Sequence, residues 1–588
     1  MCGIAGVVCA NRTAESAVRS MLSTMHRRGP DGEGLREWPH AMFGHRRLAI
    51  LDLSPAGAQP MLSPDGRVGV VFNGCIYNFQ QIRSELEGRG RRFRSQCDTE
   101  VLIEGYLEWG IDRLVQRLRG MYAFVVWDDP LQTLFAVRDR LGVKPLIYSA
   151  GNGVFAFAST LDALRAGGFG GPMDPQSALE MLDLGYVTDR RCIYSGVSKL
   201  PPATILEWRE GEISERSYWD LPLADEETRL DFEEAVARTE ELLLESVKLR
   251  LISDVPVGAL LSGGIDSAVV CWALSHLNAD VQAYTAGTPG DPEDESNDAR
   301  DIARRLGIRH TVVALDPDEA PPFDDFIQAF SEPFASPSVL GLLQVSRIVR
   351  SKATVLLTGD GGDEAFLGYN FFENAWRAER LARRLPASAP AVWSLVRPYL
   401  RKAPALKRAV NFLDYTVGGV GAYARVRLGL PYFEERGMLG DRLRGRNVAH
   451  REIPASFESA RHLTSDVVRF QWRMHFLSEF LVKVDGSTMY HSLEARSPLL
   501  DQKLWEFAAD IPPRLHFHQG SPKAILREIV RRRVGPTVAG RRKQGFTIPV
   551  EKWLATEWKD RLREMQTDAA LVRGGWMDGP ALARAVDA

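Results

Sequence analysis

One stretch constrains the fold more than any other. Asp254–Leu261 is rich in small and apolar residues. It runs directly into Ser262, Gly263, Gly264, Ile265, Asp266 and Ser267, and then into a helix through Val270 and Leu274. The alternation continues downstream. Val281–Ala286 reads as a strand, Asn297–Leu306 as a helix, His310–Leu315 as a strand, Phe323–Phe330 as a helix and Thr354–Thr358 as a strand. This βα rhythm predicts a parallel sheet covered on both faces, with ligands at the carboxyl ends of its strands. Within the opening loop, two glycines let backbone amides approach an anion, and the following helix presents its positive end. Ser262 and Ser267 add hydroxyl donors. Asp266 cannot bind a bare phosphate but suits Mg²⁺ held on one. No Gly-Lys-Ser/Thr follows, so the loop is not of the Walker type. A tight β–α turn without a ligand is the plain alternative.

A second loop of the same kind follows the strand ending at Thr358. It reads Gly359, Asp360, Gly361, Gly362, Asp363, Glu364, with Gly368 and Tyr369 beyond. Acids among glycines at a strand end fit a second metal and pyrophosphate site better than a solvated turn. Residues 371–475 are helical and Arg-rich in pattern. Farther on, Lys483–Asp485, the polar segment Glu494–Asp501 and Lys523–Arg527 carry chemistry-bearing side chains. The basic clusters Arg531–Arg533 and Arg541–Lys543 lack interleaved aromatics, and net charge is only -3. They read as a solvated or phosphate-neutralising face, and no nucleic-acid partner is expected.

At 588 residues the chain exceeds one core, and about two to four domains are expected. The first half differs in pattern from the second. Ile4–Cys9, Phe43–Leu53, Val68–Phe72, Tyr122–Trp127, Thr133–Val137 and Val154–Ala158 read as strands, with helices at Ser16–His26 and Thr99–Trp109. Many strands with few helices predict a layered α+β domain. Cys2 opens it. Removal of Met1 would put a thiol nucleophile and an α-amine base on one residue; the bland alternative is a small buried apolar residue. Arg47 within an apolar strand, Asn73–Gly74 at the end of another, and Asp98 before a helix are out of place for packing alone. Their plain readings are a hairpin turn for Asn73–Gly74 and an N-cap for Asp98. Together they supply a cation for a carboxylate, an anion for an amine and amides for an oxyanion. The six cysteines form no CxxC pair, which predicts a reduced, cytoplasmic setting. No apolar run reaches the length of a membrane span.

The residues Cys2–Gly6, Arg28–Asp31, Arg47–Leu48, Asn73–Gly74, Ile76–Asn78 and Asp98 resemble a class II glutamine amidotransferase domain. The resemblance implies an α+β N-terminal-nucleophile sandwich of two sheets between helix layers (αββα), and hydrolysis of glutamine through a thioester on Cys2. Arg47 would bind the glutamine carboxylate and Asp98 its amine, with Asn73 and Gly74 as the oxyanion hole. Two positions depart from that pattern: Cys75 stands where the family has Glu, and Arg27 where it has His.

The second half resembles the synthetase domain of glutamine-dependent asparagine synthetases, through Leu261–Ser267, Gly359–Glu364, Lys483–Asp485, Glu494–Arg496 and Lys523–Arg527. That implies an α/β parallel-sheet ATP-pyrophosphatase-type domain with a helical C-terminal part. The expected organisation is residues 2–219, a linker at 220–231, and residues 232–588. Leu261, Ser262, Gly263, Gly264, Asp266, Ser267, Thr358, Gly359 and Asp360 would bind ATP. Asp266 and Asp363 would hold Mg²⁺, and Lys523 would stabilise an acyl-adenylate. The implied partners are glutamine and a carboxylate acceptor, with aspartate foremost; a homodimer is left open and no membrane partner is expected. Thr358, Ser336 and Gly486 depart from the family pattern toward the acceptor side, leaving another sugar-acid, peptide or natural-product carboxylate as the alternative acceptor.

Overall fold

A computed structural model describes residues 2–9, 14–188, 190–222, 229–288, 294–315, 319–424, 428–446, 462–541, 550–568 and 570–587. Part of the expected linker (223–228) and Arg542–Lys543 lie outside these described residues.

Alternating side chains build the first half. In the strand Gly3–Cys9, Ile4 and Val8 face a core shared with Phe43, Val71, Val125, Trp127 and Phe157, whereas Ala5 and Val7 face the opposite way, against Val18, Met21, Leu22 and Leu164. Period-two burial on both faces is what an inner strand of a layered structure requires. Two six-stranded sheets result. The first runs in the order Ser198–Lys199, Ile147–Gly151, Val154–Ala158, Gly3–Cys9, Ala41–Arg47 and Gly32–Glu37. The second runs Glu212–Ser217, Thr204–Arg209, Thr133–Arg138, Gly120–Asp128, Val68–Ile76 and Met61–Leu62. Neighbouring strands are antiparallel throughout. Helices Glu15–Thr24 and Leu161–Ala166 cover the outside of the first sheet; Phe79–Gly88 and Glu100–Arg117 cover the second. This is the αββα sandwich that the sequence predicts.

The second half holds a five-stranded sheet in the order His310–Ala314, Gln282–Gly287, Val257–Leu260, Val355–Leu357 and Glu494–Arg496, every pair parallel. Helices Phe232–Arg250, Ile265–His276 and Ala524–Arg533 pack in the apolar core on one face, and Ser338–Arg350 closes the other. The chain order reverses between Val257–Leu260 and Val355–Leu357, which opens a ligand crevice beyond their carboxyl ends. Helices dominate from Asn370 onward.

Several local expectations are corrected. The strand expected over 43–53 ends at Arg47, and Asp52 adopts a left-handed backbone (φ 54). Asn73 and Gly74 lie inside the nine-residue strand Val68–Ile76 rather than in a hairpin turn. The helix after Asp98 extends to Arg117 across a break at Gly110. Asp98 does not cap that helix; its carboxylate accepts from the Ile76 amide instead, at 2.8 Å.

Candidate active site

Cys2 sits immediately before the inner strand Gly3–Cys9 and lines a small cavity. Only 9% of Cys2 is exposed. Its main-chain nitrogen donates to Asn73 Oδ1 at 3.0 Å, and its thiol points to the Leu48 carbonyl at 4.0 Å. Burial pushes the thiol pKa up, opposed in part by the Leu48 contact and the Arg47 charge. Asn73 is fully buried, and its Nδ2 has no hydrogen-bond partner. A buried donor left unsatisfied beside a nucleophile is a built-in place for an oxyanion. Gly74 is required: a Cβ there would lie 2.1 Å from the Met121 carbonyl oxygen.

The cavity beside the thiol is lined by Cys2, Arg47, Leu48, Gly74, Cys75 and Asp98, among others. Arg47 is aimed by Asp52 and Ser54, whose carbonyls accept from its guanidinium. Burial raises the Asp98 carboxyl to about 6. Of the residues expected to hold glutamine, Arg47, Gly74 and Asp98 line this cavity, whereas Asn73 lies behind it with its Oδ1 on the Cys2 nitrogen. Two that sequence reasoning did not assign there also line the cavity: Glu494 and Arg496, from the edge strand of the parallel sheet.

The halves meet through buried charge. Arg28 donates to Asp485 at 2.8 Å, and Lys144 lies 3.6 Å from the same carboxylate. Arg119 grips Asp501 with two nitrogens at 2.9 and 2.7 Å, and Arg250 joins at 3.1 Å. A second cavity, about 100 Å³, lies between the halves, bounded by Arg28, Val143, Leu146, Leu477, Leu481 and Asp485 among others.

The larger cavity, about 320 Å³, opens at the parallel-sheet crevice. Leu261, Ser262, Asp266, Ser267, Thr358, Gly359 and Asp360 line it, joined by Lys483 and Thr488. Gly263 and Gly264 shape the loop without lining the cavity. Ser262 Oγ and Ser267 Oγ lie 2.8 Å apart, and the Gly264 amide donates to Ser262 at 3.1 Å, which tightens the turn into helix Ile265–His276. The two loops press together. A Cβ on Gly359 would sit 2.9 Å from the Ser267 amide nitrogen, and one on Gly362 2.4 Å from the Asp266 carboxylate.

Where they meet, Lys523 Nζ donates to Asp266 Oδ2 at 2.7 Å and to Asp363 Oδ1 at 2.6 Å. Burial would lower the Lys523 pKa, but the two carboxylates overcome it and hold the amine charged. Among the described residues no three His, Cys, Asp or Glu side chains gather as a metal set. Two converging carboxylates nonetheless fit Mg²⁺, which takes few protein ligands and completes its shell with phosphate oxygens and water. Glu364, held near 7 mainly by burial, instead accepts from Tyr369 at 2.7 Å. Toward the interface, a Cβ on Gly486 would lie 2.4 Å from the Phe330 ring, and Ser336 donates to Glu479 at 3.3 Å.

Comparison with known proteins finds two families along the chain. Residues 1–219 match the glutamine amidotransferase domain family, and residues 238–588 match the asparagine synthase family. The chain is 29% identical to asparagine synthetase [glutamine-hydrolyzing] 1 of Bacillus subtilis, over 97% of this chain and 91% of that one. It is 28% identical to amidase chry2 of Gibberella zeae, over 100% and 95% of the two chains. A putative asparagine synthetase [glutamine-hydrolyzing] of Mycobacterium bovis is 30% identical over 94% and 88%.

Proposed function

The chain belongs to the asparagine synthase family and carries a glutamine amidotransferase domain ahead of the synthase domain; from that premise we propose that it transfers the amide nitrogen of glutamine to a carboxylate activated by ATP. The carrying observation is that one polypeptide places Cys2 beside the unpartnered Asn73 Nδ2 and, separately, Lys523 between Asp266 and Asp363.

In the first half, the Cys2 sulfur attacks the glutamine carboxamide carbon. Negative charge develops on the amide oxygen, where Asn73 Nδ2 and the Gly74 amide receive it. The terminal α-amine takes the proton that the Cys2 thiol gives up on attack and passes it to the amide nitrogen as the C–N bond breaks, so that nitrogen leaves as ammonia. Water then cleaves the thioester to glutamate. Arg47 and Asp98 hold the two ends of the amino-acid group.

In the second half, the acceptor carboxylate attacks the α-phosphorus of ATP, and pyrophosphate leaves. Leu261, Ser262, Gly263, Gly264, Ser267, Thr358, Gly359 and Asp360 would cradle the nucleotide. Asp266 and Asp363 would hold Mg²⁺, which when bound neutralises phosphate charge. Lys523 balances charge at the adenylate. Ammonia attacks the acyl carbon and AMP departs. The cavity between the halves supports passage of ammonia from one centre to the other.

We take aspartate as the acceptor, giving asparagine, AMP, pyrophosphate and glutamate. A second reading, a different carboxylate, is favoured by Phe330 occupying the space beside Gly486 and by the serine at 336; the kinship to a fungal amidase runs the same way. A screen of carboxylates for ATP–pyrophosphate exchange separates them. Exchange driven by aspartate supports the first; exchange only with another acid selects the second; no exchange with any acid overturns adenylation.

A further inference from the structure

The glutamine pocket lacks a carboxylate that its own half would be expected to provide. At position 75 the side chain is a thiol, 2% exposed, which burial keeps neutral. Among the described residues of that half, the anionic wall is then Asp98 alone. One oxygen of Asp98 is already spent on the Ile76 amide, and its raised pKa weakens it as a counter-ion. An ammonium group drawn out of water needs a firm negative partner.

The other half delivers one. The three-residue strand Glu494–Arg496 is the edge of the parallel sheet, paired to Val355–Leu357 in register. Its Glu494 side chain reaches across the interface into the cavity that holds Cys2, Arg47, Cys75 and Asp98. Glu494 is 1% exposed. It is held rigidly, because Arg496 Nε donates to its Oε1 at 2.6 Å. Arg496 is itself fixed by the Arg250 and Ile252 carbonyls, at 2.9 and 2.7 Å. Burial would raise the Glu494 carboxyl, yet the positive charge of the amino terminus, then that of Arg496 and Lys144, holds it at about 2.

We propose that Glu494, contributed by the synthase half, binds the α-ammonium of glutamine and substitutes for the acid missing at Cys75. The inference rests on the reading of this cavity as a glutamine site. Glu494 lines the same cavity as Asp98 and Arg47, so the substrate's zwitterion is read by both halves at once. Glutamine is then recognised only when the parallel-sheet half is seated against the sandwich.

The test compares glutamine with glutaramate, which is glutamine without its α-amine, using the full-length protein and ammonia release as the readout. Glu494→Gln is expected to raise KM for glutamine by about 20-fold, as expected for loss of a charged hydrogen bond, with little change in kcat. Glutaramate hydrolysis is expected to keep its wild-type kcat/KM. An unchanged glutamine KM overturns the proposal. So does an equal loss on both substrates, which would mean that Glu494 acts on Cys2 or on packing. Glu494→Asp retains the charge for Arg496 and serves if the glutamine variant does not fold; its expected loss is smaller and again confined to glutamine. If the wild-type protein hydrolyses no glutamine, the reading of the site fails, an outcome separate from failure of Glu494 alone.

Discussion

Cys2 and Lys523 are both buried reactive groups, yet they are held in opposite ways. The Cys2 thiol lies in a small cavity whose walls come from strands far apart in sequence, and burial keeps it neutral. Lys523 has a left-handed backbone (φ 59) at the start of helix Ala524–Arg533 and is clamped, charged, by two carboxylates from two loops of one sheet. A non-glycine residue in that conformation is uncommon, and such strain gathers at functional sites. The sandwich thus surrounds a neutral thiol with one cation, Arg47, and the carboxylate of Asp98, which suits the proposed zwitterionic substrate. The parallel sheet brings strand ends and a helix terminus together around a charged amine, which suits the proposed polyanionic substrate.

The division of labour can be broken one centre at a time. Cys2→Ala is expected to lower glutamine hydrolysis by about 10⁴-fold or more, as for removal of other nucleophiles, while synthesis from free ammonia persists. Loss of both activities would contradict two separate centres. Lys523→Met is expected to do the reverse, cutting pyrophosphate exchange by about 10²–10³-fold and leaving glutamine hydrolysis intact; exchange at the wild-type rate would remove Lys523 from the chemistry.

How far the sequence foretells this contrast depends on the residue. The loops Ser262–Ser267 and Gly359–Glu364 are local signals, because a strand, glycines and a helix follow one another in the chain, and the structure sets them at the sheet's switch point. The sandwich is legible from alternating apolar strands. Glu494 is not legible as part of the glutamine cavity, since 419 residues separate it from Cys75 and a three-residue strand leaves no periodic pattern. Asn73 invites a turn reading because Asn-Gly favours hairpins, yet Gly74 is needed for its close approach to Met121. The interface charges, such as Asp501, look like surface residues in sequence. Only tertiary packing buries them with Arg119 and Arg250.

That interface sharpens the comparison further. Asp501→Ala takes from buried Arg250 its carboxylate and leaves Arg119 only the more exposed Glu245, and is expected to cost about 3–5 kcal/mol. A fall in Tm with loosened coupling between the halves would show it; a cost under about 1 kcal/mol would contradict the packing described. The smallest expected effect is a pH dependence. Burial raises the Asp98 carboxyl to about 6, and in the proposed role only its ionised form holds an ammonium, so that contribution is present above that pH and lost below it. KM for glutamine should therefore rise by up to about tenfold per unit as pH falls below 6. A flat KM from pH 5 to 8 would remove Asp98 from substrate binding.

The most direct measurement follows nitrogen. The protein is given ATP, Mg²⁺, aspartate or another exchange-active acid, and glutamine labelled with ¹⁵N in its amide. The account predicts ¹⁵N in the amide of the product, with one AMP and one pyrophosphate formed for each amide. It also predicts that Cys2→Ala incorporates label only from ¹⁵N-ammonia. Amide formed without AMP, or glutamine nitrogen entering the product of the Cys2→Ala protein, would contradict it.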